Sequence, residues 1–387
     1  MIAQSPSTRL PGLLYGTLIL LLATAFYVIF GTTFIKRPHN TLSMFPSKAY
    51  GYADRLNVVF PERKERPIKV LYWTTLWGNR KDWKFETSIA RECPVLNSVC
   101  KFTTDHRQYN DSDVVLFHIG SSYEIPKYRP SFQKWVFVII ESPFNTHRYL
   151  SQERWLYNIT MTYTRVSDVS FVYGECRRRD PNATKKPVKY NYAQGKKHLV
   201  AWFVSNCNTQ SKREVYAREL AKHIDIHKFG CGGKHSCPRT KEAYCDTVLL
   251  NQTYKFYLSF ENSLCTDYIT EKVYRILDLN VVPIVLGYSH YSDLLPPYSF
   301  IDVRDFDSPK SLAVYLEMLS NNDTEYNKYF AWKETHKCRR MPGPACNLCR
   351  YVQRQRQRTQ VADVVEFWDH NTNCIDAKQF YHDMIAV

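Results

Sequence analysis

Short apolar runs that do not alternate with polar residues constrain this chain most. Residues 68–72, 114–119 and 135–140 are predominantly apolar without alternating, and are separated by stretches of helical period. A strand with one wet face alternates, whereas a strand covered on both faces does not, and such strands belong to parallel sheets flanked by helices. The second half repeats the habit. Residues 198–204, 254–260 and 281–286 read as strands, and 270–279 as a helix. Residues 212–223 carry Val215, Tyr216 and Leu220 at helical spacing, and 308–320 form a helix capped by Ser308 with Pro309 at its first position. A polar, basic break lies near 177–197. The pattern predicts an α/β chain of two doubly wound domains facing a cleft, 67–192 and 193–360, with a C-terminal tail at 361–387. In such sheets ligands sit beyond the carboxyl ends of the strands, so strand ends are where chemistry is sought.

Composition excludes the non-globular classes. With 28 Tyr, 21 Phe and 8 Trp in 387 residues, the chain can bury real cores and is neither disordered, collagenous nor a coiled coil. Its net charge of +15 points to an anionic ligand or surface without choosing one.

The amino terminus places the rest. Residues 13–30 contain no charge, close to the length that spans a bilayer core of roughly 30 Å. A cleavable signal has a shorter apolar region and a small-residue cleavage site, and here Lys36 and Arg37 follow instead. The expectation is a cytoplasmic tail at 1–12, a retained signal anchor at 13–35 and a stem at 36–66. Twelve cysteines and five N-x-[ST] sequons, at Asn110, Asn158, Asn182, Asn251 and Asn322, favour an oxidising, glycosylating lumen. Together they predict a single-pass type II protein.

Three segments could carry chemistry. Glu141 ends an apolar strand and is followed by Ser142 and Pro143, a stiff turn that suits a general base, although a solvated loop carboxylate looks the same. In residues 260–276, FENSLCTDYITEKVYRI, a strand gives way to a loop and then a helix with Glu271 and Lys272 in its first turn. A cation at a helix start is unfavourable unless an anion is bound there; the plain alternative is a solvated lysine. In residues 203–216, FVSNCNTQSKREVY, Arg213 opens a second helix and could fork onto a phosphate. Two such units suit a pyrophosphate, yet neither a P-loop nor a GxGxxG fingerprint is present.

The segments Glu141-Ser142-Pro143, Ser205-Asn206…Arg213, Phe260-Glu261-Asn262-Ser263 and Tyr268-Ile269-Thr270-Glu271-Lys272 resemble, in order, those of the α1,3/α1,4-fucosyltransferases. The resemblance spans roughly 67–350, and the 260–276 block is its most specific part. It implies a Golgi type II enzyme of GT-B architecture, with two Rossmann-like domains, that moves fucose from GDP-fucose in α1,3 linkage to GlcNAc of a glycan by inverting displacement. It implies Glu141 as the base. Tyr173, Ser205, Asn206, Arg213, Asn262, Tyr268, Glu271 and Lys272 would be donor contacts, Arg213 and Lys272 on the pyrophosphate and Glu271 on the guanosine ribose or the fucose. No cofactor is required on this reading, and stimulation by a divalent cation stays open. The partners would be GDP-fucose, a lactosamine-type or N-glycan-core acceptor and the membrane, with no nucleic acid.

The resemblance also implies that the CxxC of Cys346 and Cys349 pairs with Cys93 and Cys100. From the residues alone, Cys338 with Cys346 and Cys349, or Cys231, His235, Cys237 and Cys245, could instead be zinc ligands, which an oxidising lumen disfavours. Asp111-Ser112-Asp113 and Asp305-Phe306-Asp307 match a D-x-D metal pattern but read as element ends. The cations of Arg177–Arg179 and of Arg350, Arg354, Arg356 and Arg358 read as a solvated basic face. Two other functions remain: a GT-B transferase for another nucleotide sugar, and a lumenal glycan- or polyanion-binding protein without turnover.

Overall fold

The computed structural model describes residues 66–387, apart from 77, 79–82, 84, 147–149, 181–189, 341–342, 355–361, 383 and 386–387. The expected tail, anchor and nearly all of the stem, as well as Asn182, Arg356 and Arg358, lie outside the described residues. Among the described residues no helix is long and apolar enough to cross a membrane.

Six strands form the first sheet: β1 (Ile68–Tyr72), β2 (Cys100–Thr103), β3 (Val114–His118), β4 (Lys134–Ile139), β5 (Ile159–Thr162) and β6 (Val169–Ser170). Their order is β2-β1-β3-β4-β5-β6, and every pair is parallel. Val115, Leu116 and Phe117 of β3 and Val136, Phe137, Val138 and Ile139 of β4 are fully buried, which is why these segments do not alternate. After β7 (Gly174–Arg178), a second parallel sheet contains β8 (His198–Phe203), β9 (Ile226–Phe229), β10 (Tyr254–Phe260), β11 (Val282–Leu286) and β12 (Ile301–Asp302), in the order β9-β8-β10-β11-β12. Both sheets reverse direction once. The reversal of strand order falls between β1 and β3 in the first and between β8 and β10 in the second, with every pair still parallel.

Five helices flank the sheets or position the site: α1 (Phe85–Glu92), α2 (Arg213–Leu220), α3 (Glu271–Leu277), α4 (Pro309–Ser320) and α5 (Ala345–Arg354). Ser308 caps α4 with a reciprocal bond to Ser311, and Pro309 occupies the first position. The apolar face of α3, Val273, Tyr274 and Leu277, joins the core of the first sheet although the helix follows β10. Gly174 makes this possible, since a Cβ there would lie 2.2 Å from Cγ of Tyr274.

The expected domain limits need correction at the carboxyl end. Helix α5, placed by sequence in the second domain, packs on the first core and is bonded to it through Cys93–Cys346 and Cys100–Cys349. Residues 361–387 are no loose tail. Val364 and Trp368 enter the first core, where Cys374 also bonds Cys265, and Phe380 and Tyr381 enter the second. A chain leaving the second sheet must cover the open flank of the first, a long-range requirement without local periodicity.

All twelve cysteines are paired, the others as Cys176–Cys338, Cys207–Cys231 and Cys237–Cys245, so neither zinc arrangement stands. Cys176–Cys338 staples β7 to the antiparallel strand β13 (His336–Arg340). On that ribbon Arg177 pairs with Glu175 at 2.9 Å. Of the sequons, Asn110 and Asn322 are exposed and Asn251 is half-buried. Asn158 is corrected: it is 5% exposed and its Oδ1 accepts from the Trp135 amide, so no glycan fits there.

Replacing Cys265 and Cys374 together by Ala should lower the unfolding free energy by about 2–4 kcal/mol, read from denaturant midpoints. His118 ends β3 fully buried, and burial pushes its pKa from 6.5 down to about 4. The unfolded chain therefore takes the proton first, and stability is lost as pH falls from 6.5 toward 4. Between pH 7 and 5 the loss should be about 2 kcal/mol and shrink in His118→Gln, measured by urea titration.

Candidate active site

The carboxyl ends of β4, β8 and β10 meet. Strand β4 ends at Ile139, and Pro143 begins a short turn over 143–145 with Ser142 at the cap position. The Ser142 hydroxyl donates across the cleft to Ser263 Oγ at 2.7 Å. Glu141 is half-buried beside this bridge. Its Oε2 accepts from the Tyr268 hydroxyl at 2.9 Å and from Asn145 Nδ2 at 3.1 Å. Burial, with Tyr173 and Glu141 nearby, pushes the Tyr268 phenol far above its ordinary pKa, so it stays a donor. Oε1 accepts no bond among the described residues, which leaves one basic oxygen for a substrate proton.

Beyond β10 lies a feature that the strand and helix patterns did not single out. Glu261 is 1% exposed and ends the strand as Glu141 ends β4. It accepts from Thr270 N at 2.8 Å and from Thr270 Oγ1 at 2.9 Å, and it pairs with Lys272 Nζ at 3.0 Å. Lys272 also reaches Glu271 at 3.3 Å and Thr270 Oγ1 at 2.8 Å. Burial pulls the Lys272 pKa down, but Glu261 and then Glu271 outweigh it and leave the ammonium held more firmly than usual. The strand-end rule that singled out Glu141 would have found Glu261 as well. Its burial against Lys272 was not visible, because the two are eleven residues apart and meet only through the turn at Thr270.

The structure brings most of the expected residues to this edge, with different postures. Ser205 and Asn206 are exposed on the loop after β8, which Cys207–Cys231 ties down. Arg213 is buried, and it does not present the open fork expected of it. Its Nη1 donates to the Phe260 carbonyl at 2.6 Å and Nη2 to that of Asn206 at 3.3 Å, bracing both strand ends, while Nε has no partner among the described residues. Tyr173 is also buried, and its hydroxyl donates to the Ile140 carbonyl at 2.8 Å, holding the strand that carries Glu141. Asn262 has a buried Oδ1 without a partner among the described residues. Glu271 is half-exposed beside Lys272.

The D-x-D pairs serve other ends. Asp113 binds Arg66 at 2.9 Å and the Lys69 amide at 2.8 Å. Among the described residues no group of three or more His, Cys, Asp or Glu side chains is arranged to hold a metal ion.

A carboxylate with one oxygen unbonded among the described residues and a paired lysine at a helix start both lie beyond the carboxyl ends of parallel strands, where ligands sit in such sheets. Comparison with known proteins agrees. Residues 65–174 match the family model described as Fucosyltransferase, N-terminal, and residues 193–368 match Glycosyltransferase family 10 (fucosyltransferase) C-term. The chain is 32% identical over 346 residues to Alpha-(1,3)-fucosyltransferase C of Drosophila melanogaster, covering 81% of this chain and 76% of that protein. It is 35% identical over 302 residues to 4-galactosyl-N-acetylglucosaminide 3-alpha-L-fucosyltransferase 9 of Mus musculus and of Homo sapiens, covering 74% of this chain and 80% of each. A solved structure of an alpha1,3-fucosyltransferase with GDP-fucose superposes with a TM-score of 0.48 at 16% identity, covering 72% of this chain and 86% of that one. The protein is a glycosyltransferase. It belongs to glycosyltransferase family 10, the fucosyltransferases.

Glu261→Gln keeps the shape but strips a buried partner from Lys272, and should cost about 3–5 kcal/mol of stability in chemical unfolding. Loss below about 1 kcal/mol would show that the pair is not a working unit.

Proposed function

We propose that this enzyme transfers fucose from GDP-fucose in α1,3 linkage to a GlcNAc hydroxyl of a glycan, with inversion at the anomeric carbon. One observation carries the reading: the Tyr268–Glu141 bond at 2.9 Å, which sets a carboxylate of the first sheet against the cationic edge of the second. On this reading Oε1 of Glu141 takes the proton of the acceptor hydroxyl as its oxygen attacks the fucose anomeric carbon from the face opposite GDP. The C1–O bond to the diphosphate breaks, and the electron pair leaves with GDP. Lys272 exchanges part of its contact with Glu261 and Glu271 for a phosphate oxygen, and Arg213 adds its charge from behind the loop. Ser205, Asn206 and Asn262 line the donor side, where the unpaired Asn262 Oδ1 can accept from a sugar or base. No cofactor enters these steps. The chain's place is the Golgi lumen, held by an anchor at 13–35, a reading supported by that uncharged run and by the six disulfides.

The activity is tested by offering labelled GDP-fucose, GDP-mannose and UDP-sugars with N-acetyllactosamine and N-glycan-core acceptors, followed by mass spectrometry of the products. Only GDP-fucose should label, and transfer from another donor would overturn the reading. Glu141→Gln should reduce turnover by about 10²–10⁴-fold while GDP still binds. Lys272→Ala should weaken GDP binding, and an unchanged affinity would remove its phosphate role.

A further inference from the structure

An aromatic ring stands beside the base and takes no part in the transfer chemistry. Phe144 follows Ser142 and Pro143, both buried, yet it is itself 37% exposed. A single exposed phenylalanine needs no explanation by itself. This one sits in a turn whose every neighbour is anchored. Ser142 is bonded to Ser263, Asn145 to Glu141, and Thr146 Oγ1 accepts from Trp368 Nε1 at 2.9 Å. Trp368 packs on Tyr163 with ring centres 5.5 Å apart, and Tyr163 packs on Tyr268 at 5.0 Å, which closes a rigid circuit back to Glu141. The Phe144 ring leans on His370, centres 5.0 Å apart and planes tilted by 47°. His370 is half-exposed, and Asp369 lies beside it at 3.8 Å.

The approach to Glu141 is one-sided. Oε2 is covered by Tyr268 and Asn145, and the second sheet's edge faces it through Ser263. The turn at 143–145 and the segment at 369–370, joined through Phe144 and His370, are the surface of the first half next to Glu141 along the chain. We propose that Phe144, with His370 and Asp369, forms an acceptor subsite that takes one pyranose ring: the open face of Phe144 stacks on the sugar's C–H face while His370 and Asp369 bond its hydroxyls. A sugar ring is amphipathic, with axial C–H groups on one face and hydroxyls around its rim, and an aromatic surface flanked by polar side chains matches both. The turn fixes the platform relative to Glu141, so stacking also sets which hydroxyl meets Oε1. This subsite rests on the assignment of Glu141 as the base of fucosyl transfer.

The test compares the full-length wild type with Phe144→Ala, Phe144→Leu and Phe144→Trp. The acceptor KM is measured on N-acetyllactosamine and on an N-glycan core, with GDP affinity taken by calorimetry. Ala and Leu should both raise the KM of the accepted sugar about tenfold, equivalent to ~1.4 kcal/mol. Trp should stay within about twofold, and GDP affinity should not move in any of them. Leu matters because it keeps apolar volume without a ring. An acceptor KM within twofold of wild type in Ala or Leu overturns the subsite. Saturation-transfer NMR of the same sugars on wild type and Phe144→Ala reads ring contact without turnover: signal on the C–H face protons lost in the variant supports stacking, and equal signal rejects it. A wild type that binds the sugar but transfers no fucose would sink the activity assignment instead.

Discussion

The hydrogen bond from Tyr268 to Glu141 joins the two halves of the molecule where the ends of their central strands meet. Each sheet alone ends in a carboxylate, Glu141 after β4 and Glu261 after β10. Glu261 is the local counter-ion of Lys272 within the second half, whereas Glu141 has one oxygen held by Tyr268 of the other half and one unbonded among the described residues. The phenol can play this part because burial keeps it protonated. The Ser142–Ser263 bond and the tilted and edge-on contacts of Trp368, Tyr163 and Tyr268 brace the geometry.

Covalent framing explains how a site at a seam stays ordered. Three disulfides span more than 160 residues each, Cys93–Cys346, Cys100–Cys349 and Cys176–Cys338, and Cys265–Cys374 pins the returning carboxyl segment beside Tyr268. That segment then places Trp368 and His370 next to the turn after Glu141. Helix α3 completes the lock, because its apolar face is buried against the first sheet while its first turn supplies Lys272 to the second. In many two-domain proteins a modest polar interface permits hinge motion. Here a shared core and disulfide staples oppose it.

The site residues were legible to different degrees. Glu141 and Lys272 stand out at a strand end and a helix start, because the rule that ligands lie beyond the carboxyl ends of parallel strands uses only local pattern. Arg213 and Tyr173 were placed at the right edge, but their postures were not readable. Whether a guanidinium points to solvent or to the carbonyls of Phe260 and Asn206 depends on a loop from another strand. Asn158 shows the same limit, since a sequon is a three-residue pattern and burial under Trp135 is not. Glu261 was overlooked although it obeyed the strand-end rule.

What the amino-acid order determined by itself was the kind of molecule: unbroken apolar runs demand sheets covered on both faces, and the spacing of helices between them demands parallel strands. The resemblance foresaw that Cys346 and Cys349 meet Cys93 and Cys100, whereas tertiary structure alone decided which strand ends lie together, how the other eight cysteines pair, and where the described carboxyl-terminal segment goes. Most of those outcomes depend on contacts between segments a hundred or more residues apart, as in the separations of 253, 249, 162 and 109 residues across four of the disulfides, and no local period records them.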